Sequence, residues 1–272
     1  ADRGPSNITN STSNFQAYNH YRPFSSDKES GIALYQTGND ELTYEKKHEL
    51  NLGIDAGFLN NRINVTFDGY RRNNYDLIGV VTTQGINREV SSYGNVASMK
   101  SHGEELSIST TNIKNKDFSW TTNFIYSHAV NEVTDLMSKA STMDYIQGSG
   151  FAKKGYPVRA LFSIPFVGLS EDGYPMFIND KGNVTVGGIN FQERENNDYL
   201  KYEGPTDPVY TGSLGNIFTY KGFRLNIFLT YSFGNVVRLD PVFSYKYNDL
   251  SSMTKEFKNR WMMPGDEKVT NI

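Results

Sequence analysis

The stretch Asn216-Ile217-Phe218-Thr219-Tyr220-Lys221-Gly222-Phe223-Arg224-Leu225-Asn226-Ile227-Phe228-Leu229-Thr230-Tyr231-Ser232-Phe233 decides the fold class. Phe223, Leu225, Ile227, Leu229, Tyr231 and Phe233 fall on alternate positions, so the two-residue period of a strand puts all of them on one face. Asn216, Phe218 and Tyr220 close the strand before it, and the Lys221-Gly222 step between the two strands reads as a two-residue hairpin turn.

The same unit occurs earlier. His48, Leu50, Leu52, Ile54, Ala56 and Phe58 alternate with Glu49, Asn51, Gly53, Asp55 and Gly57; after a turn at Leu59-Asn60-Asn61, Ile63, Val65 and Phe67 alternate with Arg62, Asn64, Thr66 and Asp68. Leu106, Ile108 and Thr110 alternate with Glu105, Ser107 and Ser109, and past a connection near Lys114 Phe118, Trp120, Thr122, Phe124 and Tyr126 alternate with Ser119, Thr121 and Asn123. The reading is therefore all-β, with strands over about residues 44–58, 62–75, 96–111, 118–130, 210–220 and 223–233 and long loops over 1–43, 76–95, 134–209 and 235–272.

Short turns thus alternate with long connections. Structureless connections beyond about 12 to 15 residues are uncommon in compact domains, whereas a transmembrane β-barrel has short turns on one side and long loops on the other. Aromatic residues agree: Phe58, Phe118, Trp120, Tyr220 and Phe223 flank the short turns, and Tyr70, Tyr75, Tyr126, Tyr231 and Phe233 lie toward the far strand ends, as two interfacial belts would. A soluble β-sandwich also alternates, with its apolar face turned inward. The one-sided turns, the belts and strands of about 12 residues, against the five or six usual in globular sheets, favour a partial transmembrane antiparallel barrel of three up-and-down hairpins.

Composition restricts the rest. A mean hydropathy of −0.55 does not exclude membrane insertion, because a barrel strand needs only about half its positions apolar. No run approaches the roughly 18 apolar residues of a spanning helix; the nearest, Ala160 to Leu169, is broken by Ser163 and Pro165. A net charge of −3 with scattered Lys and Arg gives no nucleic-acid footprint. With no cysteine there is neither a disulfide framework nor a thiolate metal site. The opening Ala1-Asp2-Arg3-Gly4-Pro5 has neither a basic n-region nor an apolar h-region, so the expectation is that a targeting peptide was removed or that the sequence is an excerpt.

Against this background the chain resembles the SusC/RagA-like TonB-linked outer-membrane transporters, of the kind found in Bacteroidetes. The residues that carry the likeness are Asn39-Asp40-Glu41-Leu42-Thr43-Tyr44-Glu45-Lys46 with Leu50 to Asp55, then Asn61-Arg62 and Tyr75-Asp76-Leu77. They continue with Gly94-Asn95, Gly103-Glu104-Glu105-Leu106 and Phe118-Ser119-Trp120, and with Gly155-Tyr156-Pro157-Val158, Ala160-Leu161-Phe162 and Phe166 to Leu169. Asp207-Pro208, Tyr220 to Phe223, Tyr231 to Asn235, Arg260-Trp261 and Pro264-Gly265-Asp266 complete them. Glu104 departs from the family pattern: strict alternation puts it on the outward face with Leu106 and Ile108, near the top of the apolar band, unless a bulge turns it inward.

The resemblance implies cell outer-membrane localisation and uptake of glycans, oligosaccharides or peptides in nutrient acquisition such as polysaccharide utilisation. It implies a SusD-like lipoprotein and TonB as partners, with outer-membrane lipid around the barrel. Members have a plug domain and a barrel of about 22 strands; here the plug is absent and about six strands are present, so the chain is expected to be a fragment of the C-terminal half of the barrel without transport activity alone.

No enzyme is read from these residues. His20, His48, His102 and His128 lack metal-ligand spacing, so no metal site, cofactor or catalytic residue is assigned. Carboxylates such as Glu171-Asp172 and Glu193 with Glu195 are unsupported in position, and Asp172-Gly173 and Asp180-Lys181-Gly182 read as turns. Ligand contact would come from loop aromatics, with Tyr18, Tyr21, Tyr145 and Tyr174 as examples not distinguished from ordinary exposed tyrosines, so the ligand-binding residues stay unknown. A secreted β-rich carbohydrate-binding module is the alternative.

Overall fold

Alternation repeated in pairs predicts a meander, and the computed structural model, which describes residues 15–21, 30–37, 41–82, 91–242 and 253–272, contains one. In chain order β1 (Phe15–Tyr21), β2 (Ser30–Thr37), β3 (Lys46–Phe58), β4 (Ile63–Thr82), β5 (Ser91–Lys114) and β6 (Phe118–Leu136) come first. A single helical turn α1 (Thr142–Tyr145) follows, then the short strands β7 (Ala160–Ser163), β8 (Phe166–Leu169), β9 (Pro175–Ile178), β10 (Val184–Thr185) and β11 (Lys201–Pro205). The long strands β12 (Tyr210–Tyr220) and β13 (Phe223–Phe233) precede two 3₁₀ turns at Lys255–Asn259 and Asp266–Lys268.

The chain divides into two units. The first contains a six-stranded antiparallel sheet in the order β13-β12-β6-β5-β4-β3, so sequence neighbours are sheet neighbours except where β7 to β11 intervene between β6 and β12. Strands β1 and β2 form a separate hairpin inside the segment 1–43 that the alternation leaves as a loop. Likewise β4 and β5 continue to Thr82 and start at Ser91, well into the expected 76–95 loop, and β6 runs to Leu136. Alternation understates these strands because their outer parts do not alternate: past the slip near Asp76, β4 continues as Leu77-Ile78-Gly79-Val80-Val81, apolar at consecutive positions, and periodicity detects only a difference between faces.

Register fixes which side chains share a face. Ile54, Phe67, Leu106, Tyr126, Gly212 and Tyr231 are consecutive cross-strand partners, and so are Ala56, Val65, Ile108, Phe124, Leu214 and Leu229. The opposite face carries rows such as Asp55, Thr66, Ser107, Ile125, Ser213 and Thr230. The apolar face is uncovered: Leu52 is 68% and Ile54 67% exposed.

The turns follow from local chemistry. Lys221 (φ 43°) and Gly222 (φ 89°) both take positive φ, the primed two-residue turn whose twist matches the flanking strands. At the first hairpin Leu59, Asn60 and Asn61 are left-handed in succession, two of the three positions being held by the residue that tolerates this best after glycine. Mid-strand glycines have another role. The Tyr70 ring lies against Gly103, and the Tyr231 ring crosses Gly212 so that its hydroxyl donates to the Ile125 carbonyl at 3.1 Å. A side chain at either glycine would displace the ring.

The second unit comprises residues 139–152, 158–208 and 234–272 and is built the other way round, about a small buried apolar cluster. Phe162 and Ala160 are fully buried, joined by Leu161, Leu200 and Tyr145, whose ring meets Phe162 (5.4 Å) and Phe151 (5.7 Å) edge-on. Burying a phenylalanine contributes about 1.5–3 kcal/mol, which helps a core of this size hold. Buried Thr142 donates to Asn197 Oδ1 at 2.8 Å, and Asn197 donates to the Ala140 carbonyl at 3.2 Å. Helix α1 is capped reciprocally: Asp144 N donates to Ser141 Oγ and Ser141 N to Asp144 Oδ2. Most of the segment 134–209 expected as one long loop therefore belongs to a folded unit. Its strands are too short to show a period.

Candidate functional site

The uncovered face of the sheet is the first functional surface. Its apolar rows run along β6 from Phe118 to His128, about ten residues at about 3.3 Å each, which at a tilt of about 45° spans about 23 Å. That is the height of the lipid-facing band of an outer-membrane barrel. A sandwich would have to cover these side chains.

Both rims are aromatic. At the turn end Phe118, Tyr220 and Phe223 form one row, and Trp120 stacks on Phe218 (5.6 Å) in the next. Trp120 Nε1 and Thr122 Oγ1 both donate to Asn216 Oδ1, at 2.9 and 2.7 Å, so the polar atoms of this face are tied to one another. At the other rim Tyr210 lies between His128 (4.8 Å) and Phe233 (4.9 Å), with Tyr231 against Phe233 (5.9 Å). Tyr70, expected in this belt, is on the opposite face, paired with Gly103 and beneath the Arg72 guanidinium. Its even position in β4 puts it in phase with Asp68, and strand parity overrides the mere presence of an aromatic.

Glu104 stays on the apolar face, without a bulge. It pairs across the sheet with Gly69 and His128 and lies 3.1 Å from His128 Nδ1. A carboxylate at the rim of the band costs about 1 kcal/mol or less, and here it has a hydrogen-bond partner in the belt itself.

Above the rim, motifs far apart in sequence meet. Asn95 Nδ2 donates to the carbonyls of Asp76 (2.6 Å) and Thr43 (2.8 Å), while Thr43 N donates to Asn95 Oδ1 at 2.8 Å. Lys46 pairs with Asp76 (2.7 Å), and Ile78 N donates to Glu45 Oε1 (3.0 Å). Asp76 sits at φ 54° where the β4–β5 register slips. The Thr43-to-Lys46, Tyr75-Asp76-Leu77 and Gly94-Asn95 segments thus form one clasp, which holds the bulge by hydrogen bonds on both sides of Asp76. No local pattern reveals it, because its partners are 19 to 52 residues apart.

The foreseen loop residues separate. Tyr145 is core, 6% exposed, and burial pushes its phenol up. Tyr174 is 59% exposed, and the side chains of Tyr18 and Tyr21 lie outside the described residues. Glu193 accepts backbone N–H groups of Glu195 (2.8 Å), Arg194 (3.0 Å) and Asn196 (3.2 Å), which hold its carboxyl below the usual range, while Glu195 pairs with Lys139. These two carboxylates are occupied in building the loop. Asp172-Gly173 and Asp180-Lys181-Gly182 are turns, closed by Gly173 N to the Ser170 carbonyl and Gly182 N to the Asn179 carbonyl. Among the described residues no three His, Asp or Glu side chains converge on a cation site.

The second unit also holds a cleft of about 550 Å³ between Phe166, Phe177, Pro165 and the charged Lys201, Glu203 and Arg238, which the sequence reading did not find. Ser163 and then Lys201 hold the Glu203 carboxyl below the usual range. Only the apolar run around Phe162 and Phe166 pointed toward this region.

Known proteins place this geometry. No family model matches the chain. TonB-dependent receptor P3 of Formosa agariphila is 25% identical over 250 residues, 85% of this chain and 24% of that protein. TonB-dependent receptor SusC of Bacteroides thetaiotaomicron is 30% identical over 217 residues, 74% of this chain and 21% of SusC. Among solved structures, the RagAB peptide transporter superposes with a TM-score of 0.72 at 24% identity, covering 95% of this chain and 29% of that one. The RagAB peptide importer in its closed-closed state gives 0.65 at 25% identity.

The antiparallel sheet thus matches part of the barrel of TonB-dependent receptors of the outer membrane, a class of transport proteins and not of enzymes. Within that class the chain is of the SusC/RagA type, and it spans about a quarter of the length of the relatives it matches.

Proposed function

We propose that the chain is the later part of the barrel of an importer that takes up oligosaccharides or peptides, driven through TonB and working with a SusD-like lipoprotein. The observation that carries this reading is the uncovered apolar face about 23 Å tall, aromatic at both rims, on a sheet that matches the RagAB barrel. In this reading the turns at Leu59 to Arg62, Asn115 to Asp117 and Lys221-Gly222 face the periplasm. The β4–β5 end of the sheet stands outside. The polar face of the sheet, with Asp55, Asp68 and Glu105, lines the lumen.

Uptake needs the whole receptor, because six strands leave β3 and β13 as open edges that lipid cannot satisfy. The test is made on the full-length protein in its own cells. It should fractionate with outer membranes, resist extraction without detergent and co-purify with a lipoprotein. Growth on the imported nutrient should stop when TonB is deleted. Release by detergent-free buffer, or unchanged growth without TonB on every nutrient that needs the receptor, would reject the reading.

A further inference from the structure

The cleft in the second unit has a chemistry of its own. Lys201 and Glu203 pair at 3.0 Å, and the Ser163 hydroxyl donates to the same carboxylate, so the acid and the ammonium largely satisfy each other. Arg238 differs. One Nη2 hydrogen goes to the Phe162 carbonyl at 2.7 Å, which anchors the guanidinium, and among the described residues no hydrogen bond takes its remaining donors. A guanidinium has five N–H donors in a planar fork that matches a carboxylate bidentately.

Beside it stands an apolar wall: Phe166, 44% exposed, leans on Phe177 with ring centroids 5.7 Å apart, and Pro165 and Ile146 continue the surface. Among the described residues the lining has no Tyr, Trp, Asn or Gln, the groups that would stack on sugar rings and bond their hydroxyls. One anchored cation next to a phenylalanine-lined wall fits an apolar body that ends in a carboxylate.

We infer that this cleft receives the C-terminal end of a short peptide, the terminal carboxylate on Arg238 and a large apolar C-terminal side chain against Phe166 and Phe177. This rests on the importer reading and narrows its cargo from glycans or peptides to peptides with a free, apolar C-terminus.

The test uses the full-length receptor, purified in detergent, with the tripeptide Ala-Ala-Phe titrated by calorimetry. Its C-terminal amide, maltohexaose and an oligogalacturonide serve as competing probes. Amidation of the tripeptide and Arg238→Gln should each weaken binding about tenfold or more, the effect of losing one charge-assisted hydrogen-bonded contact. Phe166→Ala, which leaves the Arg238 anchor intact, should weaken it less, and Lys221→Gln in the β12–β13 turn, which does not line the cleft, should leave it unchanged. Heat-modifiable migration on gels confirms that each variant is folded.

Equal binding of acid and amide, or binding insensitive to both Arg238→Gln and Phe166→Ala, overturns the inference. So does tight oligogalacturonide binding lost in Arg238→Gln, which would assign the cleft to acidic glycans. Failure here while TonB-dependent growth persists leaves the importer reading intact; loss of that growth dependence rejects the importer instead.

Discussion

Leu52 in β3 and Phe162 in β7 are both apolar strand residues, yet the first is 68% exposed and the second fully buried. The contrast extends over whole regions. The six-stranded sheet presents Leu, Ile and Phe outward and Asp, Ser and Thr on its other face, while the second unit encloses Phe162, Leu161 and Tyr145. One chain thus uses the same residue classes by opposite rules, because its parts face different solvents. In lipid, burying an apolar side chain against protein gains little over leaving it exposed, whereas every backbone N–H must be paired. In water the apolar term dominates. The strands of the sheet are accordingly long and continuous, whereas β7 to β10 are only two to four residues long, and β7 is the one buried along its length.

The sharpest way to break this contrast is Phe162→Ala. A buried phenylalanine removed from an aqueous-type core costs about 3–5 kcal/mol. In the full-length receptor, hydrogen exchange at residues 160–163 and 200–205 should rise strongly while amides of β5 and β12 keep their protection. If exchange changed equally in both regions, the second unit would not have a core of its own.

Adjacent residues of one strand give the next test. Ile108 faces the apolar side near mid-band and Ser107 the polar side. Ile108→Arg should cost about 2–4 kcal/mol and reduce the heat-modifiable folded barrel, whereas Ser107→Arg should leave it nearly unchanged. Equal effects, or a larger loss from Ser107→Arg, would mean that the face assignment is inverted.

These tests also show where the fold is legible in the primary structure. β12 and β13 pair from Tyr210–Phe233 down to Tyr220–Phe223 without a register slip, so simple alternation gives both faces and the turn. β5 slips near Ser98 and again near Thr111, and β4 near Asp76, and each slip resets the parity. Beyond such points, reading in steps of two no longer identifies a face. The β7–β11 region leaves no period at all; its only trace is the contiguous Ala160-Leu161-Phe162 run, which suits a strand buried on both faces. The ligand cleft is illegible for a stronger reason: Phe166, Glu203 and Arg238 converge only through tertiary folding.

The rim pair tests the boundary between the two rules. His128→Leu would leave the Glu104 carboxylate without its 3.1 Å partner on the membrane face, at a cost of about 1 kcal/mol. Adding Glu104→Leu should recover most of that loss, since the double variant extends the apolar band by one row. A double-variant loss equal to the sum of the single losses would show that the two side chains do not interact.

The smallest expected effect is confined to the water-facing unit. The backbone N–H groups of Glu195 and Asn196, with Arg194 behind them, hold the Glu193 carboxyl below its ordinary value of 4.5. A folded pKa below the unfolded one means that the carboxylate stabilises its loop above about pH 4.5, and that this contribution fades as pH falls through the lower folded value. Protection of amides 194–196, corrected for intrinsic exchange, should therefore decline on acidification from pH 5 to about pH 3. Glu193→Gln should show weaker protection at pH 5 and little further change in acid. The six-stranded sheet has no part in this loop, so a parallel loss in β5 would point to general acid unfolding and remove Glu193 as its cause.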